Sequence, residues 1–341
     1  MLKKGSVYQL PVTNINHRGY QFYAFPMSII SNYPESLPWI HSNFIQMCYD
    51  RSENSPVPFA PYIFDYAQNP WLITHKLDRS IYSIFNKDII DFVRESIDRD
   101  YYVYLNVDEF FIPNRNAFQN YNYSHDILIF GYDEVKGVFN VLGYDHNYEF
   151  KKSEVSYQNF KAAFNNIDSI TNYCNQIYLY KYNPDGKYTF NFDVVIDLIE
   201  DYLYSRNTSS KFYMVQDTMD RAYGMKSYMY LKKYLADLLV GKSSYDIRNL
   251  HCLLEHKIAM QKRIEFFESE GYIDTSYNLS KDYIDIQKKA LDFRNMMIKS
   301  GFDKNPKRIE QIIDALDTFK LQESEILERL IQVGKEHGSN E

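Results

Sequence analysis

An α+β fold is predicted for this chain of 341 residues, and three observations predict it. Residues 101–144 hold three strand-like runs rich in aromatic and β-branched side chains. Residues 175–192, NQIYLYKYNPDGKYTF within them, read as a further hairpin around the turn sequence Asn183-Pro184-Asp185-Gly186. After Asn191 the apolar spacing changes to a period of 3.6 and keeps it almost to the end. The length suits two modest domains. The break is placed between residues 1–165, which carry the main sheet, and residues 166–341, a hairpin followed by helices.

Composition narrows the function classes. The net charge is −7 and no basic block occurs, which argues against nucleic acid as a partner. The three cysteines, Cys48, Cys174 and Cys252, have no metal-ligand spacing and no CxxC, as expected in a reducing compartment. Two lysines near the N-terminus lack an apolar run behind them, and no stretch approaches membrane-span length. A soluble, cytoplasmic protein with no membrane partner and no cofactor is therefore expected. Thirty-three tyrosines and 23 phenylalanines imply many half-buried rings whose hydroxyls need partners.

In chain order, residues 7–12 suggest a short strand interrupted by Pro11, and residues 23–32 a helix. Residues 43–49, NFIQMCY, read as a strand carrying Cys48, for which burial as a small apolar side chain is the structural alternative to nucleophilic chemistry. Residues 52–70 are rich in Pro and Asn and read as a long connecting loop. A short strand is expected at 71–74, and an amphipathic helix at 86–98, where Ile89, Phe92, Val93 and Ile97 share a face. Strands follow at 101–107, 125–132 and 138–144, the last two joined by the Gly-containing loop 133–137. Residues 151–164 suggest a helix backing the sheet. Five helices are expected beyond it, at 193–204, 222–239, 246–270, 281–299 and 307–333. Gly271 and Gly301 stand as stops, and Pro306 as a start.

Antiparallel pairing across the 133–137 loop would bring His125, which opens one strand, near Asp145, which follows its partner. An imidazole beside a carboxylate is the base and orienting group of a triad. Both residue types are also ordinary at exposed strand ends. In residues 246–256, His251 and His256 lie five apart and share no helix face, which speaks against a metal site; His251 and Glu255 form an i, i+4 pair, and Arg248 has acidic neighbours for a structural ion pair.

The run from Asp108 through Phe111-Ile112-Pro113 and His125 to Gly131-Tyr132-Asp133 and Tyr144 resembles the N-terminal domain of the butirosin-biosynthesis protein H family. That family is similar to papain-like cysteine peptidases and acts in acyl transfer during antibiotic assembly. The resemblance covers about the first half of the chain. It implies a papain-like domain over residues 1–165 and a mainly helical half after it. It also implies an acyl- or amide-bond-forming transferase that takes its acyl group from a carrier-protein thioester and passes it to a small-molecule amine. His125 would be the general base and Asp145 its orienting group; Asp108, Tyr23 and Tyr123 would line the acyl pocket.

One departure stands out: the family's nucleophilic cysteine opens the first long helix, where Phe22 or Tyr23 stands in this chain. Cys48 is then the candidate replacement, or the base acts directly on the amine. The alternative is a catalytically degenerate relative that binds a peptide, metabolite or carrier protein in a tyrosine-rich cleft. A cysteine peptidase is the weakest reading, because the expected thiol is absent.

Overall fold

Strands 102–108, 124–133 and 138–144 are consecutive in sequence and pair antiparallel side by side, and the rest of the first unit builds onto that meander. The computed structural model describes residues 5–52, 55–62, 65, 67–211 and 217–338. In chain order its elements are β1 (Val7–Gln9), α1 (Gln21–Ile30), α2 (Leu37–Ser42), β2 (Met47–Asp50) and β3 (Phe59–Pro61). Next come β4 (Leu72–Asp78), α3 (Arg79–Ile84), α4 (Ile89–Asp98), β5 (Tyr102–Asp108), β6 (Ser124–Asp133), β7 (Val138–Tyr144) and β8 (Phe150–Ser156). The remainder is α5 (Tyr157–Asn166), β9 (Gln176–Tyr182), α6 (Phe192–Leu203), β10 (Arg221–Tyr223), α7 (Ser227–Leu239), α8 (Arg248–Ser269), α9 (Leu279–Asp303) and α10 (Pro306–Gly338). The mixed α+β class stands as expected from the sequence.

The chain divides into two compact units: residues 1–36 with 65–188, and residues 37–64 with 189–341. This differs from a single break near residue 165 in two ways. Segment 37–64 belongs to the second unit, and residues 166–188 complete the first.

In the first unit an antiparallel sheet runs in the order β4-β9-β5-β6-β7-β8, with β1 pairing β6. Every residue of β5 is buried, which places it at the centre. Alternation along the strand sends Tyr104 to one face, where it meets Phe25 of α1 at 5.2 Å. Val103 and Leu105 point to the other face, on which Phe139 of β7 meets Phe160 of α5 at 5.1 Å. Asp88 caps α4 by accepting from the Ile90 amide, and Ser156 caps α5 by accepting from Asn159.

Two sequence expectations change here. The segment 175–192 is not a hairpin: β9 pairs β4 along its whole length and β5 over three residues, and 187–191 form no strand. The expected helix at 151–164 is strand β8 followed by α5 from Tyr157. Lys151, Lys152 and Glu154 on β8 mimic a helix face in sequence, but they are the charges an edge strand carries toward water.

In the second unit, β2 pairs β3 and β10, and the long helices α8, α9 and α10 pack in succession. The 52–70 loop contains β3, and its residues 53, 54, 63, 64 and 66 lie outside the described part. Gly301 does not stop α9, which runs on to Asp303 and ends at Lys304 in the left-handed conformation (φ 52°). Pro306 is the first helical residue of α10, where its missing N–H costs nothing. Among the described residues no helix is long and apolar enough to cross a membrane.

Candidate active site

The site grows from the free end of the β5–β6 pair. Register sets Val107 opposite His125 and Asp108 opposite Ser124, so the residue after β5, Glu109, arrives beside the start of β6. Its amide donates to the Tyr123 carbonyl at 2.8 Å, closing the loop 109–123. Its carboxylate Oε1 then lies 2.9 Å from His125 Nδ1. An ionised carboxylate only accepts, so Nδ1 carries the proton and the neutral ring leaves its lone pair on Nε2. That nitrogen lies 3.5 Å from Asp126 Oδ1. The Glu109 side chain is 10% exposed and that of His125 is 33% exposed. The orienting acid is therefore sheltered while the ring reaches solvent.

Burial pulls the His125 pKa down. The hydrogen bond His125 donates to Glu109 and the charges of Asp126 and Glu109 outweigh that pull, with Arg115 opposing them, and the net effect is a raised pKa. Arg115 is buried, with Nε 3.7 Å from Glu109 Oε1, and balances part of the carboxylate charge. A Cβ on Gly143 would come within 2.7 Å of both Arg115 Nη2 and Gln21 Oε1, so only glycine lets β7 pass this close.

Helix α1 is pinned to the same strands by its first residue. Gln21 donates from Nε2 to Asp126 Oδ1 at 2.6 Å and to the Asp126 carbonyl at 2.8 Å, and its Oε1 accepts from the Tyr144 amide at 2.8 Å. Asp126 also accepts from the Tyr104 hydroxyl at 3.2 Å. The start of α1 thus reaches His125 through Asp126 rather than directly.

The residues singled out from the sequence fare differently. His125 stands at the strand end as expected, but its carboxylate partner is Glu109 and not Asp145. The β6–β7 register shifts between Ile129 and Gly131, and β7 ends at Tyr144. Asp145 turns into the tight connection to β8, where its carboxylate accepts from the amides of Asn147 and Glu149 and pairs with Lys151 at 2.6 Å. Burial raises its pKa, but Lys151 and those amides overcome this and hold it at about 2. Asp145 serves the turn.

Asp108 is fully buried rather than solvent-facing. It accepts from the amides of Phe110 and Tyr123 and from the side chains of Asn122 and Asn166, which fixes both ends of the 109–123 loop. Burial raises its pKa, and these four donors turn the balance, leaving it lowered.

Tyr23 lies inside α1 with no exposed surface, against Tyr20 and Phe22, so it is packing. Tyr123 is 46% exposed, with its ring centroid 5.4 Å from that of His125 and Tyr121 at its edge. Those two rings form an aromatic lip beside the imidazole.

Cys48 belongs to the second unit, on β2 opposite Ala60 and Tyr223. Burial pushes its thiol pKa up to about 12, against the partial help of Arg221. A nucleophilic cysteine needs the opposite shift. The structure therefore removes Cys48 from the candidate nucleophiles and keeps the small buried side chain. At the start of α8 the expected ion pair is present, Arg248 with Asp246 at 2.7 Å, and the i, i+4 pair brings His251 Nε2 to 3.1 Å from Glu255 Oε1. Among the described residues no group of three or more His, Cys, Asp or Glu side chains is placed to hold a metal ion.

Sequence reasoning gave no site role to Glu109, which follows β5 as an ordinary strand-end carboxylate, nor to Asp126, Gln21 or Arg115. The signal for Glu109 was its position directly after a strand whose end pairs with the start of the next. The chain matches no family model and no curated protein.

Proposed function

We propose that this protein is an acyl- or amide-bond-forming transferase of specialised-metabolite assembly, with a papain-like first unit and His125 as general base. A carrier-protein thioester supplies the acyl group and a small-molecule amine accepts it. The observation that carries the reading is the His125–Glu109 pair at a partly open strand end, with its Nε2 lone pair unprotonated in the neutral ring.

In the reaction, the amine nitrogen attacks the thioester carbonyl carbon while Nε2 takes the N–H proton. Glu109 holds the ring in that tautomer and, with Asp126, stabilises the imidazolium. Collapse of the tetrahedral intermediate breaks the C–S bond, and the imidazolium returns its proton to the departing thiolate. No covalent enzyme intermediate is required, which agrees with the resemblance setting Phe22 or Tyr23 where the family has its thiol. The exposed rings of Tyr121 and Tyr123 offer an apolar wall for the acyl chain.

A second reading rests on the same replaced thiol: a relative that binds a metabolite, peptide or carrier protein without turning it over. An acyl-pantetheine thioester mixed with a panel of amines separates the two. Amide formation that falls about 100-fold or more in His125→Ala, and persists in Cys48→Ala, supports the transferase. Saturable binding with no amide product supports the binder.

A further inference from the structure

The loop 109–123 buries a guanidinium, and the fold makes room for it at three places. Asn114 stands at φ 63°, the left-handed region that asparagine tolerates, and turns the chain just before Arg115. The Asn114 carbonyl accepts from the His146 amide at 2.8 Å, which ties this turn to the β7–β8 connection. Gly143 on β7 leaves open the space that Arg115 Nη2 takes, since a Cβ there would come within 2.7 Å of it. The Arg115 side chain is 3% exposed.

This seat costs stability, and the cost points to a use. Nη2 is buried and has no hydrogen-bond partner among the described residues. A cation left at the protein surface would avoid that loss. What burial brings is a charge placed where water screens it least. Arg115 Nε lies 3.7 Å from Glu109 Oε1, the same oxygen that accepts from His125 Nδ1 at 2.9 Å. Burial pulls the Arg115 pKa below the ordinary arginine range, and Glu109, Asp126 and Asp145, in that order, work against it. Asp145 has Lys151 at 2.6 Å. Among the described residues no other Lys or Arg comes within ion-pair distance of Glu109 or Asp126.

We propose that Arg115 is a positioning residue for the base: its buried charge fixes the Glu109 carboxylate and keeps the adjoining imidazole neutral, leaving Nε2 to take a proton. The inference rests on the reading of His125 as general base. The groups that face the ring are Glu109 and Asp126, which favour the imidazolium, Arg115, which disfavours it, and Tyr123 at 5.4 Å. The two carboxylates alone would hold the ring protonated to higher pH, and an imidazolium cannot accept the N–H proton of an amine. Arg115 offsets them, and it acts on the ring through Glu109.

The test reads the imidazole itself. Proton–carbon NMR follows His125 across pH in the full-length parent, Arg115→Met, Arg115→Gln, Arg115→Lys and Glu109→Gln, with His125→Ala assigning the signal. Removing the charge in Arg115→Met is expected to raise the His125 midpoint by about one pH unit, and removing the carboxylate in Glu109→Gln to lower it. Arg115→Lys, which keeps the charge, is expected to stay near the parent. Damage to packing gives no reason for the two variants to move in opposite directions. Arg115→Gln carries the same expectation as Arg115→Met and takes its place where the Met variant does not fold. Below the raised midpoint, single-turnover aminolysis in Arg115→Met falls about tenfold, and it recovers at higher pH. A folded Arg115→Met or Arg115→Gln whose His125 midpoint is unchanged or lowered overturns the inference. The titration needs no substrate. A raised midpoint without amide formation keeps Arg115 as the residue that sets the charge of the ring and overturns only the transferase reading. Amide formation with an unmoved midpoint overturns only the role of Arg115.

Discussion

Each unit of this molecule holds a carboxylate paired with a titratable nitrogen, and the surroundings of the two pairs are opposite. In the second unit, Glu323 of α10 and Lys257 of α8 lie 2.6 Å apart with neither side chain exposed. All three ammonium protons of Lys257 have acceptors: Glu323, the Tyr202 hydroxyl at 2.8 Å and His256 Nδ1 at 2.9 Å. Glu323 also accepts from the hydroxyls of Tyr228 and Tyr283, each at 2.6 Å. Burial lowers the Lys257 pKa to about 8, even with Glu323 working the other way. In the first unit, Glu109 is sheltered but its partner His125 reaches solvent, and Tyr123 beside it is half exposed. A pair closed on every side by its own fold has no valence left for a substrate; a pair whose ring is partly exposed, with Asp126 Oδ1 no nearer than 3.5 Å to its second nitrogen, does. The contrast is why the proposal places chemistry at His125 and leaves a structural role to Lys257.

The largest effect that sharpens this contrast is expected from Glu323→Ala, which strands the Lys257 ammonium among helices. A loss of about 3–5 kcal/mol in urea unfolding is expected. Tyr228→Phe, which removes a single donor to the same carboxylate, should cost less, about 1.5–3 kcal/mol. A Glu323→Ala variant as stable as the parent would show that the helices do not depend on this network. His125→Ala is expected to do the reverse: about 100-fold or more off the aminolysis rate, with an unfolding midpoint close to the parent's.

Gly143→Ala tests the packing between the two halves of the candidate site. Its Cβ meets Arg115 Nη2 and Gln21 Oε1 at 2.7 Å, so a loss of about 1–3 kcal/mol is expected, together with a slower reaction. The smallest effect is electrostatic. Because the folded pKa of His125 is raised, its imidazolium contribution to stability is fully present below about 6.5 and fades as pH rises through the folded value. Asp145 behaves oppositely. With a folded pKa of about 2, its contribution is present above the ordinary carboxylate range, near 3.9, and is lost as pH falls toward about 2. Unfolding midpoints measured across pH in His125→Ala and Asp145→Asn check both signs.

How far the sequence reveals this arrangement depends on distance along the chain. Strands β5, β6 and β7 are legible because aromatic and β-branched runs alternate with turn-formers, and α8 because Gly271 follows its apolar stripe. Edge strand β8 is not, because its charges copy a helix surface. The place of β9 between β4 and β5 is not, because a strand next to a strong turn pairs locally by default, whereas β9 finds its partners about 100 residues (β4) and about 75 residues (β5) earlier. The crossing of segment 37–64 into the second unit leaves no local mark at all.

At the site, His125 is visible as a polar residue opening an apolar strand. Its partner is hidden by loop 109–123: the short Gly-containing loop 133–137 advertises the pairing that points to Asp145, yet the β5–β6 register delivers Glu109. The burial of Cys48 is expected from its residue type; its place on β2 between β3 and β10 is not, since no spacing within residues 43–49 reveals it.

The most direct test of the central claim is the pH dependence of thioester aminolysis, measured under single turnover for the parent and for Glu109→Gln. If His125 is the base and Glu109 orients it, the parent rate rises with pH through a midpoint above about 6.5. In Glu109→Gln that midpoint moves down and the plateau falls. An identical profile in the two proteins would contradict the account.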